Sequence, residues 1–255
     1  MSSITGFGSH SLYTNPGIVF LFNQPIYEYD IRLAGYNLCK YYKLLPEKTL
    51  EKLSHMDKER VHIQIGIYSK KEEFREKLNT AFKDMRQLFY DSNELEINDI
   101  VAVKKDAIFT TKECKVTTFK NVEFRKKHEY TSYVHIGTLE LYYKAGFTPI
   151  LDVKGIDNES LQKHEDGILP ILYRYFEKME TATKAETLSY LNRLCSQYKF
   201  RELPVDAYRE FNPNSRYRLQ NSEDTYDEYW EDEKEDLDIS YNFSNVLIPL
   251  VRIAM

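Results

Sequence analysis

Residues 70–111 read KKEEFREKLNTAFKDMRQLFYDSNELEINDIVAVKKDAIFTT, which places a long helical pattern directly before a hairpin pattern. The first half, Lys70–Tyr90, repeats large apolar side chains at steps of four, four, three and four, the period of one helical face. The second half predicts two strands, Ile100–Val103 and Ala107–Thr111, meeting at a Lys104-Lys105-Asp106 tip. The apolar stripe of the helix consists of Phe74, Leu78, Phe82, Met85 and Phe89. A helix followed at once by a hairpin favours an α+β fold.

Outward from this stretch the same periodicities predict further strands and helices. Strict alternation of apolar residues predicts a half-buried strand over Val61–Tyr68, and Thr183 with Glu186 forms a capping box for a helix in the last third. The other predicted strands are Ile18–Phe22, Pro25–Ile31, Lys115–Phe119, Ser132–Ile136, Leu139–Tyr143 and Pro149–Val153; the other helices are Leu33–Leu44, one from Pro46, and two stripes over Leu169–Met179 and Leu188–Tyr198. We therefore predict an α+β fold with a mixed or antiparallel sheet and packed helices.

The order of these elements divides the chain into four predicted parts. An α+β domain takes residues 1–157, a C-terminal helical subdomain takes 158–219, and an acidic loop takes 220–240. The last part, 241–255, returns to the core as a C-terminal strand, because Phe243–Ala254 is a nearly continuous apolar run.

Composition sets the class of protein. The chain has 255 residues, 42% of them hydrophobic, and no apolar run approaches the eighteen residues that a membrane span needs. Residues 1–10 carry no secretory signal pattern, and three widely spaced cysteines fit no disulfide framework. These features predict a cytoplasmic protein without a membrane partner. The 21 tyrosines suit a core, an interface or base stacking equally well.

Familiar catalytic motifs are missing from the sequence. There is no GxxxxGK[ST], GxGxxG, HExxH or GxSxG pattern, and the six histidines are scattered. These absences argue against zinc hydrolases, simple nucleoside triphosphatases and dinucleotide enzymes.

Two aspartates stand at predicted strand ends and form the candidate site. Asp30 follows Ile26-Tyr27-Glu28-Tyr29 at the end of a predicted strand, and Asp106 occupies the hairpin tip. If the two strands are neighbours, both carboxylates emerge at one edge of the sheet, where they could bind Mg²⁺ together with substrate phosphates. The alternative is that each aspartate caps a turn or a helix.

Several short segments resemble the palm region of family B DNA polymerases. Tyr29–Asn37 is similar to motif A of that family, and the hairpin around Asp106 is similar to the metal-binding strand-turn-strand of motif C. Lys58–Gly66 occupies the place of motif B, and Leu151–Asp157 is similar to the Lys-Gly segment that follows motif C. The chain also resembles the small proteins, rich in tyrosine and lysine, of large bacteriophages.

The resemblance implies a palm-like domain over residues 1–157 and Mg²⁺-dependent nucleotidyl transfer. Asp30 and Asp106 would then be the catalytic and metal-binding residues, with Lys58, Arg60 and Lys154 contacting phosphate. Only Asp106 stands where motif C carries two acidic residues. Whether the chain is an enzyme therefore stays open, and a divergent, non-enzymatic relative is the alternative.

Two basic stretches interleaved with aromatic residues are candidate nucleic-acid contacts. Cations with neighbouring rings suit phosphate tracking and base stacking. The alternative is a solvated strand face whose lysines discourage edge pairing. The predicted nucleic-acid-binding residues are Lys120, Arg125, Lys126, Lys127, Arg209 and Arg216.

The net charge of −5 conceals an acidic segment, residues 223–238, which holds ten Asp or Glu and one Lys. The rest of the chain has 34 Lys and Arg against 30 Asp and Glu. Tyr226, Tyr229 and Trp230 interrupt the acidic segment, so we predict that it docks on a basic surface of this chain or of a protein partner. A purely solvated loop is the alternative.

Together these patterns predict a nucleic-acid-associated phage protein of replication or transcription, in the cytoplasm of the infected cell. The competing hypothesis is a non-enzymatic structural or replication accessory protein. Its support is the absence of any complete catalytic motif.

Overall fold

The computed structural model describes residues 4–211 and 242–255. The described chain divides into two compact units. Unit 1 contains Met1–Gly17 and Pro25–Glu129, and unit 2 contains Ile18–Gln24 and Tyr130–Met255. The predicted α+β fold is confirmed, and every strand pairing for which a register is defined is antiparallel. The acidic loop predicted over 220–240 lies outside the described residues.

The elements are numbered in chain order, and two strands contribute residues to both units. The strands are β1 (Leu12–Thr14), β2 (Phe20–Ile31), β3 (Ile100–Lys104), β4 (Ala107–Thr110), β5 (Thr118–Phe119), β6 (Val122–Ile136), β7 (Leu139–Lys144) and β8 (Ile150–Lys154). The helices are α1 (Ala34–Tyr41), α2 (Glu47–Ser54), α3 (Lys58–Tyr68), α4 (Glu72–Ser92), α5 (Asn158–Gln162), α6 (Ile168–Thr181), α7 (Lys184–Lys199) and α8 (Ile248–Ala254). None of the described helices is long and apolar enough to cross a membrane.

Unit 1 packs helices against a sheet in the order β1-β3-β4-β2-β6. The predicted amphipathic helix is present as α4, and its stripe buries Leu78, Met85 and Phe89. Phe89 stacks on Phe124 of β6, with ring centroids 4.2 Å apart. Helix α4 is therefore the element that closes the core of unit 1 over the sheet.

The strand predicted over Val61–Tyr68 is wrong, because these residues form most of α3. The carboxylate of Asp57 accepts the Arg60 backbone N–H at 2.9 Å and caps the helix. Val61 and Ile65, four residues apart, are buried on the inner face, whereas Ile63 and Ile67 are exposed. The alternating apolar residues of this segment therefore do not all lie on one buried face.

Unit 2 packs α6, α7 and α8 on a sheet in the order β2-β6-β7-β8. The Tyr143 ring of β7 lies parallel to the Phe176 ring of α6, with centroids 5.0 Å apart. The predicted capping box is confirmed, since Thr183 and Glu186 bond to each other's backbone N–H groups at the start of α7.

The C-terminal strand predicted over 241–255 is also wrong. Phe243–Leu247 is a π-helical turn, and α8 follows it directly. Val246, Leu250 and Ala254, spaced by four, are buried on one face. Pro249 lies in the first turn of α8. The apolar run is therefore a core helix.

Candidate functional site

Asp30 and Asp106 lie at adjoining ends of neighbouring strands in unit 1. Asp30 pairs in register with Ala107, the residue after Asp106. The backbone N–H of Ile31 donates to the carbonyl of Asp106 at 3.1 Å. The two strands that carry the aspartates are thus neighbours, and Asp30 and Asp106 lie at one edge of the sheet.

The hairpin tip that carries Asp106 is held by a buried arginine of α4. Lys105 has a φ of 58°, the left-handed conformation that a tight hairpin turn requires. The Arg86 guanidinium donates to the carbonyl of Lys105 at 3.1 Å and to the carbonyl of Gly8 at 2.9 Å. Because Arg86 is only 3% exposed, these bonds fix the turn from inside the core.

The electrostatic surroundings of Asp106 combine burial with a second acid. Burial raises the pKa of the Asp106 carboxyl, and the neighbouring Asp30 carboxylate raises it further. The backbone N–H of Asp106 itself, His62 and Lys105 act in the opposite direction. Two interacting carboxyls with cations around them form a site that is suited to bind charged groups.

Asp30 has a cationic partner in strand β6. Its carboxylate lies 3.6 Å from a guanidinium nitrogen of Arg125. The Asp30 side chain is 26% exposed and that of Arg125 is 54% exposed, so solvent weakens this pair. The arginine therefore neutralises Asp30 without burying it.

Binding of a magnesium ion at Asp30 and Asp106 stays a prediction. Asp30 and Asp106 supply hard oxygen ligands, which Mg²⁺ prefers. Within residues 4–211 and 242–255, no group of three or more His, Cys, Asp or Glu side chains is arranged to hold a metal. The pair alone would thus need water or phosphate oxygens to complete an octahedral shell.

The predicted phosphate contacts lie in different surroundings. Lys58 is exposed at the start of α3, and the Arg60 guanidinium lies 3.2 Å from the Asp57 carboxylate that caps the same helix. Lys154 is in unit 2, where its ammonium lies 2.6 Å from Asp152. Their assignment to phosphate stays a prediction.

The predicted nucleic-acid residues of β6 are ion-paired within unit 1. Lys126 contacts Glu113 at 2.7 Å and Glu129 at 3.3 Å, and Lys127 contacts the buried Glu28 at 3.2 Å. Other contacts of the predicted cations join Lys120 to the Tyr41 ring, Arg125 to Asp30, and Arg209 to Asp206. Arg216, Tyr226, Tyr229 and Trp230 lie outside the described residues. The described basic stretch is therefore a face of alternating charge.

Comparison with known proteins gives a family. A family model described as "Bacteriophage PBS1 gene 130 protein" matches residues 5–255. The chain belongs to this family. A search of curated proteins finds no match. The family match supports the predicted phage origin, while the resemblance to a polymerase palm rests on the short motifs alone.

Two residues at the site of this phage protein were missed by the sequence reasoning. Arg86 lies at steps of four and three from Phe82 and Phe89, so the helical period could have placed it on the buried face of α4. His62 acts on Asp106 from α3, and the mistaken strand over 61–68 concealed that relationship.

Many tyrosines of this phage protein are core residues. In the part of the chain that the structure describes, eight of the eleven largest fully buried side chains are tyrosines, so burial accounts for part of the enrichment. In unit 2 the Tyr142 hydroxyl donates to the buried Glu140 carboxylate at 2.9 Å, and the Tyr130 hydroxyl donates to Asp152 at 2.9 Å. A buried tyrosine of this kind keeps its ring in the core while its hydroxyl finds a polar partner.

Proposed function

We propose that this phage protein acts on or with nucleic acid in replication or transcription, and that Asp30 and Asp106 bind a phosphate group through Mg²⁺. The observation that supports the proposal is the juxtaposition of the two carboxylates at neighbouring strand ends. Two carboxyl groups held close together repel each other when both are ionised, which raises the free energy of the doubly ionised pair. A bound divalent cation offsets that repulsion.

The cations around the pair suit a phosphate ligand. Arg125 and Lys105 both have exposed side chains beside the aspartates, and His62 is exposed on α3. When bound, Mg²⁺ would neutralise phosphate charge, the role that it has in nucleotidyl transfer. Arg125 would then be free to turn from Asp30 toward a phosphate oxygen, which its planar fork can bind with two hydrogen bonds.

Binding of a labelled single-stranded oligonucleotide tests the site. We expect Mg²⁺ to strengthen binding relative to EDTA, and Asp30→Asn and Asp106→Asn each to abolish that Mg²⁺-dependent gain. Asp91→Asn, a carboxylate on α4 that accepts a hydrogen bond from Gln87, is the matched control. Equal affinity in Mg²⁺ and EDTA, or a retained gain in both site variants, would remove the proposal.

Primer extension separates catalysis from binding. A primer–template with deoxynucleoside triphosphates and Mg²⁺ should give extended product only if the site performs nucleotidyl transfer, and Asp30→Asn should then be inactive. An inert wild-type protein that still shows Mg²⁺-dependent binding would limit the function to association with nucleic acid.

A non-enzymatic accessory or structural role is the second candidate function. It is favoured by the ion pairs of Lys126 and Lys127, which leave little unpaired positive charge on that part of β6. A protein that neutralises few phosphates has a shallow dependence of affinity on salt. A ring or filament seen by electron microscopy, with a flat salt dependence of oligonucleotide binding, would support this role.

A further inference from the structure

Helix α3 has an apolar outer face that unit 1 does not use. Val61 and Ile65 point into the core, while Ile63 and Ile67 are 54% and 49% exposed. Glu59, Ile63, Gly66 and Lys70 recur at steps of four, three and four, which places them on one face opposite the buried pair. Lys70 continues this face past the helix end, because its N–H donates to the carbonyl of Ile67 at 3.2 Å.

Gly66 lies in the middle of this face, and no close contact within its own chain requires a glycine there. A Cβ atom at Gly66 would meet nothing within 4 Å, whereas one at Gly35 of α1 would lie 2.9 Å from the side chain of Ile65. Glycine inside a helix is destabilising relative to alanine. The missing side chain leaves a gap beside Ile63 and Ile67, into which an apolar side chain of another helix can fit.

The outer face is complementary to itself in the antiparallel orientation. A two-fold axis that passes between residues 64 and 65 places Ile63 of one copy opposite Gly66 of the other. The same axis places Glu59 opposite Lys70. Among the described residues, neither Glu59 nor Lys70 has an ion-pair partner in its own chain. A parallel arrangement would instead oppose Glu59 to Glu59.

We propose that two copies of this phage protein associate through antiparallel α3 helices, with Ile63 inserted at Gly66 and Glu59 paired with Lys70. Stable protein interfaces bury about 1,200–2,000 Å² in total, and a contact centred on an 11-residue helix buries less. The dimer is therefore weak and reversible, with a dissociation constant on the order of micromolar.

Sedimentation velocity of the full chain, from about 1 to 200 µM to bracket that constant, measures the association. We expect a concentration-dependent dimer that Ile63→Asp weakens at least about tenfold, because a buried apolar contact becomes a desolvated charge. Phe200→Asp is the control, since Phe200 is 68% exposed in unit 2 and should leave association unchanged. Circular dichroism confirms that each variant is folded.

A charge exchange decides the orientation. Glu59→Lys and Lys70→Glu should each weaken the dimer, because each single variant opposes like charges across the axis. The double variant Glu59→Lys/Lys70→Glu should restore association in the antiparallel dimer. In a parallel dimer each residue opposes its own copy, so the single and double variants would all keep the like-charge pairs of the wild type and associate equally. A wild-type protein that is monomeric over the whole concentration range, or a double variant no better than the singles, would overturn the proposal. Neither result depends on Mg²⁺ or on Asp30 and Asp106.

Discussion

The backbone N–H of Phe211 donates a hydrogen bond of 3.0 Å to the side-chain oxygen of Asn242, 31 residues further along the chain. The amide nitrogen of Asn242 in turn donates to the carbonyls of Ala207 and Arg209. Asn242 is completely buried. One side chain thus joins the two described ends that flank residues 212–241.

Asn242→Ala should destabilise the protein by about 2–3 kcal/mol, because it leaves one N–H and two carbonyl groups buried without their partner. The free energy of unfolding in urea, measured for wild type and variant, gives this number. Asn158→Ala is the control, since Asn158 is exposed on α5 and its loss should cost less than about 0.5 kcal/mol. An equal loss in the free energy of unfolding for Asn242→Ala and Asn158→Ala would contradict the role assigned to Asn242.

Arg86→Met should loosen the hairpin tip that carries Asp106. Met fills a similar volume but cannot donate to the carbonyls of Lys105 and Gly8, so we expect a loss of about 1–3 kcal/mol in stability. Faster hydrogen exchange at the amides of the Lys105 turn should accompany that loss. Arg75→Met, on an exposed turn of the same helix, should change neither quantity. Unchanged exchange in Arg86→Met would show that the turn is held by other contacts.

The sequence alone was sufficient to predict α4, and it placed the two aspartates at one edge only on the condition that their strands pair. The α4 stripe contains large apolar residues at one helical period, and no other secondary structure buries that set. The proximity of Asp30 and Asp106 follows from their places at strand ends once the strands pair. The first prediction depends on a short-range pattern, and the second depends also on the pairing of β2 with β4.

The predictions for α3 and α8 failed because their apolar patterns are ambiguous. Apolar residues at every second position match a strand, yet two of the four can equally lie on the outside of a helix. The Asp57 cap and the close approach of Gly35 to Ile65 favour the helix over the strand. The approach of Gly35 is a tertiary contact, so the local sequence pattern does not contain it. Likewise, the ion pair of Asp30 with Arg125 could not be predicted, because it depends on β6 lying beside β2.

Deleting residues 223–238 and bridging the gap with a short Gly/Ser linker should tighten binding of a single-stranded oligonucleotide at low salt. The deletion removes ten acidic residues and one lysine, which leaves 34 Lys and Arg against 30 Asp and Glu. Less repulsion between protein and phosphate raises affinity and association rate, and added salt should erase the difference. A control that replaces the ten acids by Asn and Gln keeps the length and should reproduce the effect. Unchanged affinity in both variants would leave only a solvated loop.

His164 should make the stability of the protein fall as the solution becomes acidic. The imidazole is 4% exposed, and burial followed by the nearby Arg209 lowers its pKa to about 4, while Asp206 acts in the opposite direction and Lys163 adds a further positive charge. Its Nδ1 atom has no hydrogen-bond partner in the described structure. The folded state therefore disfavours the charged imidazolium.

Between pH 6.5 and 4 the unfolded chain binds a proton at this position that the folded chain does not, so stability is complete above pH 6.5 and is lost as the pH falls. At pH 4.5 the loss due to His164 is about 2.5 kcal/mol relative to pH 7. His164→Leu cannot titrate, so its free energy of unfolding should fall by about 2.5 kcal/mol less than that of wild type between these two pH values. His55→Leu, which alters an exposed histidine after α2, should keep the full wild-type loss. Parallel pH curves for wild type and His164→Leu would mean that folding does not lower the pKa of this histidine.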